Sequence, residues 1–133
     1  MSIYLLDTNI LSDLIHRPQG IIARAIARVG EENISTSIIV ACELRYGAAK
    51  RNAATLTARV ALVLSLIKIW PLEPHADEKY GGIRAELERT GNLIGPNDML
   101  IAAQCMSLNA ILVTGNEREF SRVPGLRVEN WLR

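Results

Sequence analysis

The reading of this chain turns on the stretch Ile3-Tyr4-Leu5-Leu6-Asp7-Thr8-Asn9-Ile10-Leu11-Ser12. The four apolar residues 3–6 describe a short buried strand. Asp7 arrives where the pattern turns polar. Thr8 and Asn9 are good helix N-caps, and Ile10, Leu11, Leu14 and Ile15 continue at helical spacing. Asp7 is therefore expected at the carboxyl end of a strand, just ahead of a helix, where open α/β sheets place their ligands. Taken alone, an acid there is better explained as a helix cap. Its weight depends on whether other carboxylates converge on it.

Outward from that stretch, Arg17-Pro18-Gln19-Gly20 is a turn, and Ile21, Ile22, Ala25, Ile26 and Val29 mark a second amphipathic helix stopped by Gly30. Residues 33–36 read as a short strand or loop, with Ser35, Thr36 and Ser37 as candidate caps for a third helix over 37–50. A fourth helix is expected over 54–68 and a brief strand over 69–72, where Pro71 implies an end not paired on both sides. The helix over 75–90 is more polar. It turns Ala76, Tyr80, Ile83 and Leu87 inward, while Gly81-Gly82 would let a neighbour approach closely. Gly95-Pro96-Asn97-Asp98 opens a helix that is apolar nearly all round and hence central, and Asn109 closes it. Residues 110–113 form another buried strand, with Thr114-Gly115-Asn116 as the turn at its carboxyl end. Residues 117–120 begin a short helix or loop, and a last strand over 126–129 precedes Trp131. Strands alternating with helices imply a mostly parallel sheet covered on both faces.

The 133 residues suit one domain, 1–133, with a core large enough to need no staples. Hydrophobic residues make up 49% and charged ones 22%, which argues against disorder. Cys42 and Cys105 lie far apart with no C-x-x-C spacing and no signal peptide, so two buried thiols in a reducing cytoplasm are expected. No apolar run reaches a membrane span; the longest, 60–67, is cut off by Arg59 and Lys68. The net charge of +1 conceals an uneven distribution. Arg45, Lys50, Arg51, Arg59 and Lys68 follow one another with no acid between Leu44 and Leu72, and Arg17, Arg24 and Arg28 add to the basic N-terminal half. A basic surface beside an acidic pocket fits this pattern, and so does an ordinary solvated helical face.

Four acids hold positions that core-building leaves unexplained: Asp7, Glu43, Asp98 and Glu119. Each also has a plain structural role available, as cap, surface charge, first-turn acid or loop charge. That role is weakest for Glu43, which shares a helix face with Ile39, Val40, Tyr46 and Gly47 and needs a partner there. It is strongest for Glu119. If the four converge, they repel one another and raise each other's pKa values. A hard divalent cation relieves that repulsion, and oxygen-only ligation selects Mg²⁺ or Mn²⁺ over zinc. Such a site suits phosphodiester hydrolysis, and a nucleic-acid substrate gives the basic helices a purpose. The motifs G-x-x-x-x-G-K-[ST], G-x-S-x-G and H-E-x-x-H are absent, and His16 and His75 stand at helix ends without a catalytic assignment.

Together these residues resemble the PIN-domain ribonucleases. The resemblance is carried by Asp7-Thr8-Asn9 after a strand, Glu43-Leu44-Arg45-Tyr46-Gly47, Ile94-Gly95-Pro96-Asn97-Asp98-Met99-Leu100-Ile101-Ala102, and Leu112-Val113-Thr114-Gly115-Asn116 through Glu119-Phe120. It extends to the closing Val128-Glu129-Asn130-Trp131, and is nearest to the VapC toxins of bacterial toxin–antitoxin pairs. The resemblance implies a three-layer α/β/α PIN domain and a Mg²⁺- or Mn²⁺-dependent endoribonuclease acting on structured cellular RNA. Asp7, Glu43 and Asp98 match the family's acidic triad. Asn116 and Glu119 stand where the family often has aspartates, which leaves one or two ions open. By the same resemblance Thr8 and Thr114 are hydroxyls behind the ligands, and Arg45 is a candidate phosphate contact. The partners implied are RNA and a VapB-like antitoxin. Aliphatic stripes beyond what one small sheet needs add the expectation of a homodimer with a groove for an antitoxin segment.

Two rivals compete with this reading. A receiver-type phosphoacceptor domain wants a pair of acids after its first strand and a late Lys; Asp7 has no acidic neighbour and Thr114-Gly115-Asn116 supplies no Lys. A non-catalytic PIN-like module that binds RNA or a protein is opposed only by the intact acids.

Overall fold

The computed structural model describes residues 2–133. Its elements run β1 (Tyr4–Leu6), α1 (Thr8–His16), α2 (Ile21–Val29), a 3₁₀ turn (Glu31–Asn33), β2 (Ile34–Ser37), α3 (Ile38–Arg51) and α4 (Ala54–Leu66). The second half continues with β3 (Lys68–Trp70), α5 (Ala76–Arg89), α6 (Pro96–Ser107), β4 (Ile111–Val113), α7 (Glu117–Phe120) and β5 (Arg127–Glu129). All five strands are parallel, in the order β3-β2-β1-β4-β5. Parallel neighbours require crossover helices, and these build the expected three-layer α/β/α sandwich.

Strand order decides where a site can form. From β1 the chain steps outward to β2 and β3, then returns across the sheet to add β4 and β5 on β1's other side. The carboxyl ends of β1 and β4 therefore flank a crevice at the point where the winding reverses. The register sets Leu6 beside Val113, so the next residues, Asp7 and Thr114, emerge side by side. Beneath them Leu5, Leu6, Leu112 and Val113 are wholly buried and pack with Ile10, Leu11, Ile101, Ala102 and Phe120 in one continuous core. The helix α6 buries Met99, Ile101, Ala102, Ala103, Gln104 and Cys105, as its all-round apolar pattern requires. At the sheet edge β3 ends at Trp70, and Pro71 follows outside the ladder.

Several local expectations are corrected. Thr8 and Asn9 do not cap α1; Asp7 does, with its carboxylate accepting from the Thr8 N–H at 2.8 Å. Of the three candidate caps for α3, only Ser37 serves, bonding the Ile39 N–H at 3.0 Å. Ser35 and Thr36 belong to β2 and donate to the carbonyls of Tyr4 and Leu6, because a buried hydroxyl between strands must find an acceptor. Cys42 is exposed on α3, while Cys105 is buried and its thiol is pushed up to about 12 by that burial. The fourth helix stops at Leu66, two residues short, since Lys68 is already drawn into the ladder opposite Ser35. Gly81 and Gly82 admit no close neighbour: a Cβ at either would meet nothing within 4 Å.

The two glycines therefore contribute only backbone freedom to the unfolded chain. Gly82→Ala is expected to raise stability by about 0.5–1 kcal/mol. Urea unfolding should show a higher midpoint with an unchanged slope.

Candidate active site

Asp7 is the centre of the site. It is 4% exposed, and its Oδ2 accepts from the Thr114 hydroxyl at 2.7 Å and from Asn9 Nδ2 at 3.5 Å. Burial raises its pKa, the hydrogen bonds from Thr114, Thr8 and Asn9 oppose that rise, and the charge of Glu43 adds to it. Thr8 reaches two acids at once. Its N–H goes to Asp7, and its hydroxyl donates to Glu43 Oε1 at 2.7 Å, joining the start of α1 to the middle of α3. This is the partner that the half-buried Glu43 requires.

Asp98 comes from the first turn of α6, behind Pro96. Its pKa is pushed up to about 7, by burial first, then by the charge of Asp7, a hydrogen bond to Glu119 and the charges of Glu119 and Glu43. Asp98 thus stands in the field of three carboxylates distant in sequence, and Asp7 in that of Glu43. None of the four is ion-paired to Lys or Arg among the described residues. The loop after β4 closes the ring: Asn116 Nδ2 donates to Glu119 Oε2 at 3.2 Å, and the Asn116 N–H donates to the Thr114 hydroxyl oxygen at 3.0 Å.

The expected set Asp7, Glu43, Asp98, Glu119, Asn116, Thr8 and Thr114 thus gathers in one place. Arg45 does not join it. Two residues past Glu43 it stands on the far side of α3, exposed. Asn9, a candidate cap in the sequence, joins the site: its Oδ1 accepts from the Gly115 N–H at 2.8 Å while its amide reaches Asp7 and Thr114. Its position directly after Asp7-Thr8 was the only signal available. A Cβ on Gly115 would lie 2.8 Å from Leu132 Cδ1, so a side chain there would make the Leu132 tip move.

Among the described residues, no three His, Cys, Asp or Glu side chains are drawn into metal-ligand spacing. The donor set nevertheless fits a hard divalent cation. It offers oxygen ligands only, and its uncompensated negative charge has no protein cation to meet it.

The raised Asp98 has a measurable consequence in metal-free protein. The native state keeps a proton that the unfolded chain releases near 3.8, so stability falls as pH rises from there to about 7. Asp98→Asn removes that fall. In EDTA at pH 8 the variant should be more stable than the parent by on the order of 1–2 kcal/mol after solvent screening, and the gain should vanish near pH 4. Thermal melts across that range check both.

Residues 4–126 match the family model described as PIN domain. Ribonuclease VapC2 of Haemophilus influenzae is 42% identical over 135 residues, covering 97% of this chain and 98% of that protein. The tRNA(fMet)-specific endonuclease VapC of Shigella flexneri is 38% identical over 134 residues, covering 96% and 97%. The crystal structure of VapBC2 from Rickettsia felis bound to a DNA fragment from their promoter contains a chain that superposes with a TM-score of 0.91 at 37% identity, covering 97% and 98%. With a carboxylate cluster at the sheet's reversal point and full-length similarity of this degree, the chain belongs to the PIN domain family and, within it, to the VapC ribonucleases.

Proposed function

We propose that this protein is the toxin of a toxin–antitoxin pair, a Mg²⁺- or Mn²⁺-dependent endoribonuclease that hydrolyses phosphodiester bonds in structured RNA and is restrained by a VapB-like antitoxin. The observation that carries the reading is the uncompensated charge of Asp7, Glu43, Asp98 and Glu119 around one crevice, which adds to burial in raising the Asp98 carboxyl to about 7.

Asp7, Asp98 and Glu43 would hold the cation, with Glu119 and Asn116 on the opposite side. When bound, the ion would supply Lewis acidity at the phosphoryl oxygen and a water acidic enough to attack near neutral pH. The protein's own contribution is positioning. Thr8 fixes Glu43 through Oε1, which leaves Oε2 to orient an incoming water and accept its proton. Thr114 and Asn9 fix the Asp7 Oδ2 lone pairs and so the direction in which that carboxylate can ligate. Arg45 and its basic neighbours lie outside the carboxylate cluster, where phosphate backbone on either side of the cut would run.

The apolar excess expected on the early helices is visible as Ile38, Leu62 and Leu66, the last 74% exposed. We assign this surface to a second copy of the chain and to an antitoxin segment. Among the described residues no helix is long and apolar enough to cross a membrane.

Purified protein incubated with structured RNA should cleave it in Mg²⁺ or Mn²⁺ and not in EDTA. Asp7→Asn and Asp98→Asn should each reduce cleavage by more than the ~10–100-fold that a partner behind the ligands is worth. Thr8→Val should fall within that range. Mg²⁺ should raise the Tm of the parent and leave Asp7→Asn unmoved, a readout independent of activity. Binding of RNA without cleavage, in either metal, would favour the non-catalytic module instead. Leu66→Glu should convert dimer to monomer in sedimentation while keeping the fold.

A further inference from the structure

We infer that Tyr46 is the stacking platform for an unpaired nucleobase beside the scissile bond, with Lys50 on that nucleotide's phosphate. The inference rests on the endoribonuclease reading and narrows its substrate to an unstacked, single-stranded stretch of a structured RNA.

The chain is sparing with aromatic rings: one Phe, two Trp and three Tyr in 133 residues. Folding accounts for the others. Phe120 and Trp131 are buried, and Trp131 packs on Tyr4 with ring centroids 5.3 Å apart. Trp70 is half-buried beneath Lys68, and the half-buried Tyr80 accepts from Arg84 through its hydroxyl. Tyr46 alone among the six is counted with the exposed large hydrophobic residues, at 65%. Its ring is thus available to a ligand.

Tyr46 lies three residues after Glu43 on α3, which puts the two on one face about 5–6 Å apart at Cβ. Gly47 and Lys50, at four and seven residues from Glu43, share that face. Val40, Ala41, Leu44 and Ala48 form the buried stripe beside it. Gly47 adds no side chain to that face, and a Cβ there would meet nothing within 4 Å. A flat base can therefore lie along the helix there. Lys50 Nζ lies over the Tyr46 ring, 5.9 Å from its centroid, and pairs with no acid among the described residues.

An aromatic face with a free cation beside it is the minimal apparatus for holding single-stranded nucleic acid. Here it stands one helical turn from a carboxylate that would otherwise repel the RNA backbone. Because every base has a π face, the platform does not read sequence. It demands a base that is free of its stack, as in a loop.

The experiment is steady-state cleavage of a hairpin RNA by Tyr46→Ala, Tyr46→Phe, Tyr46→Trp and Lys50→Gln. Each substrate is made intact and with an abasic residue placed in turn at the nucleotides flanking the cut. Stacking of this kind is worth about 1–3 kcal/mol per base, hence a ~5–150-fold loss of kcat/KM in Tyr46→Ala, with Phe and Trp near the parent. One abasic position should cost the parent the same factor and cost Tyr46→Ala nothing further. Lys50→Gln should weaken the salt dependence of KM. Unchanged kcat/KM in Tyr46→Ala, or a loss that persists at every abasic position, overturns the platform while leaving the nuclease standing. A Tyr46→Ala variant that changes only oligomeric state also overturns it, placing the ring in a protein interface. Parent protein that cleaves no RNA in Mg²⁺ or Mn²⁺ removes the nuclease reading, and the platform with it.

Discussion

The repulsion among Asp7, Glu43, Asp98 and Glu119 is the constraint around which the rest of the structure is arranged. Burial and like charge together push the group toward protonation, and Asp98, half-buried and facing the other three, yields most visibly. What keeps the group together is a set of neutral donors. Thr114 and Thr8 give Asp7 short hydrogen bonds, and Thr8 gives Glu43 another. Hydroxyls can satisfy a carboxylate without cancelling its charge, which a Lys or Arg would do. The negative field therefore remains for a cation to answer.

Those donors are themselves held by the sheet. The parallel pairing of β1 with β4 sets Asp7 beside Thr114, and the Asp7 N–H continues the ladder to the Val113 carbonyl at 2.9 Å. The Thr114 N–H in turn bonds the Glu129 carbonyl of β5. A slip of one residue in that register would turn Asp7 and Thr114 away from each other and into the apolar layers. The hydrophobic core beneath, rather than any polar contact above, is what makes the slip costly. Core and site are thus one mechanical system, the core fixing the register and the register fixing the direction of the Asp7 lone pairs.

One stretch outside the crevice has the opposite sign. The near-neutral total charge conceals an acidic crevice and an acid-free run from Leu44 to Leu72, which carries Arg45, Lys50, Arg51, Arg59 and Lys68. On the proposed function, an RNA strand would be drawn by this basic stretch and repelled at the carboxylates unless a divalent cation stood between them. The dimer and antitoxin surfaces we assign to the exposed aliphatic residues of α3 and α4 place regulation next to the substrate's path.

Much of this protein is written locally. Burial periodicity is a property of neighbouring residues, so the strands at β1 and β4, the all-round apolar α6 and the Gly95-Pro96 opening before Asp98 were legible from the letters alone. So was the order of the four acids, which carried the resemblance to PIN-domain ribonucleases. Tertiary structure decided what no neighbour can encode. The reversal of winding beside β1 brings residues 7 and 114 together, and the crossing of α1 with α3 hands Glu43 its hydroxyl. Asn9 passed for a cap because its partner, Gly115, is 106 residues away. Arg45 stands outside the carboxylate cluster because helical phase, set by the buried side of α3, turns it from Glu43. Sequence determines which faces must be covered. Only the packed chain determines which distant side chains meet once they are.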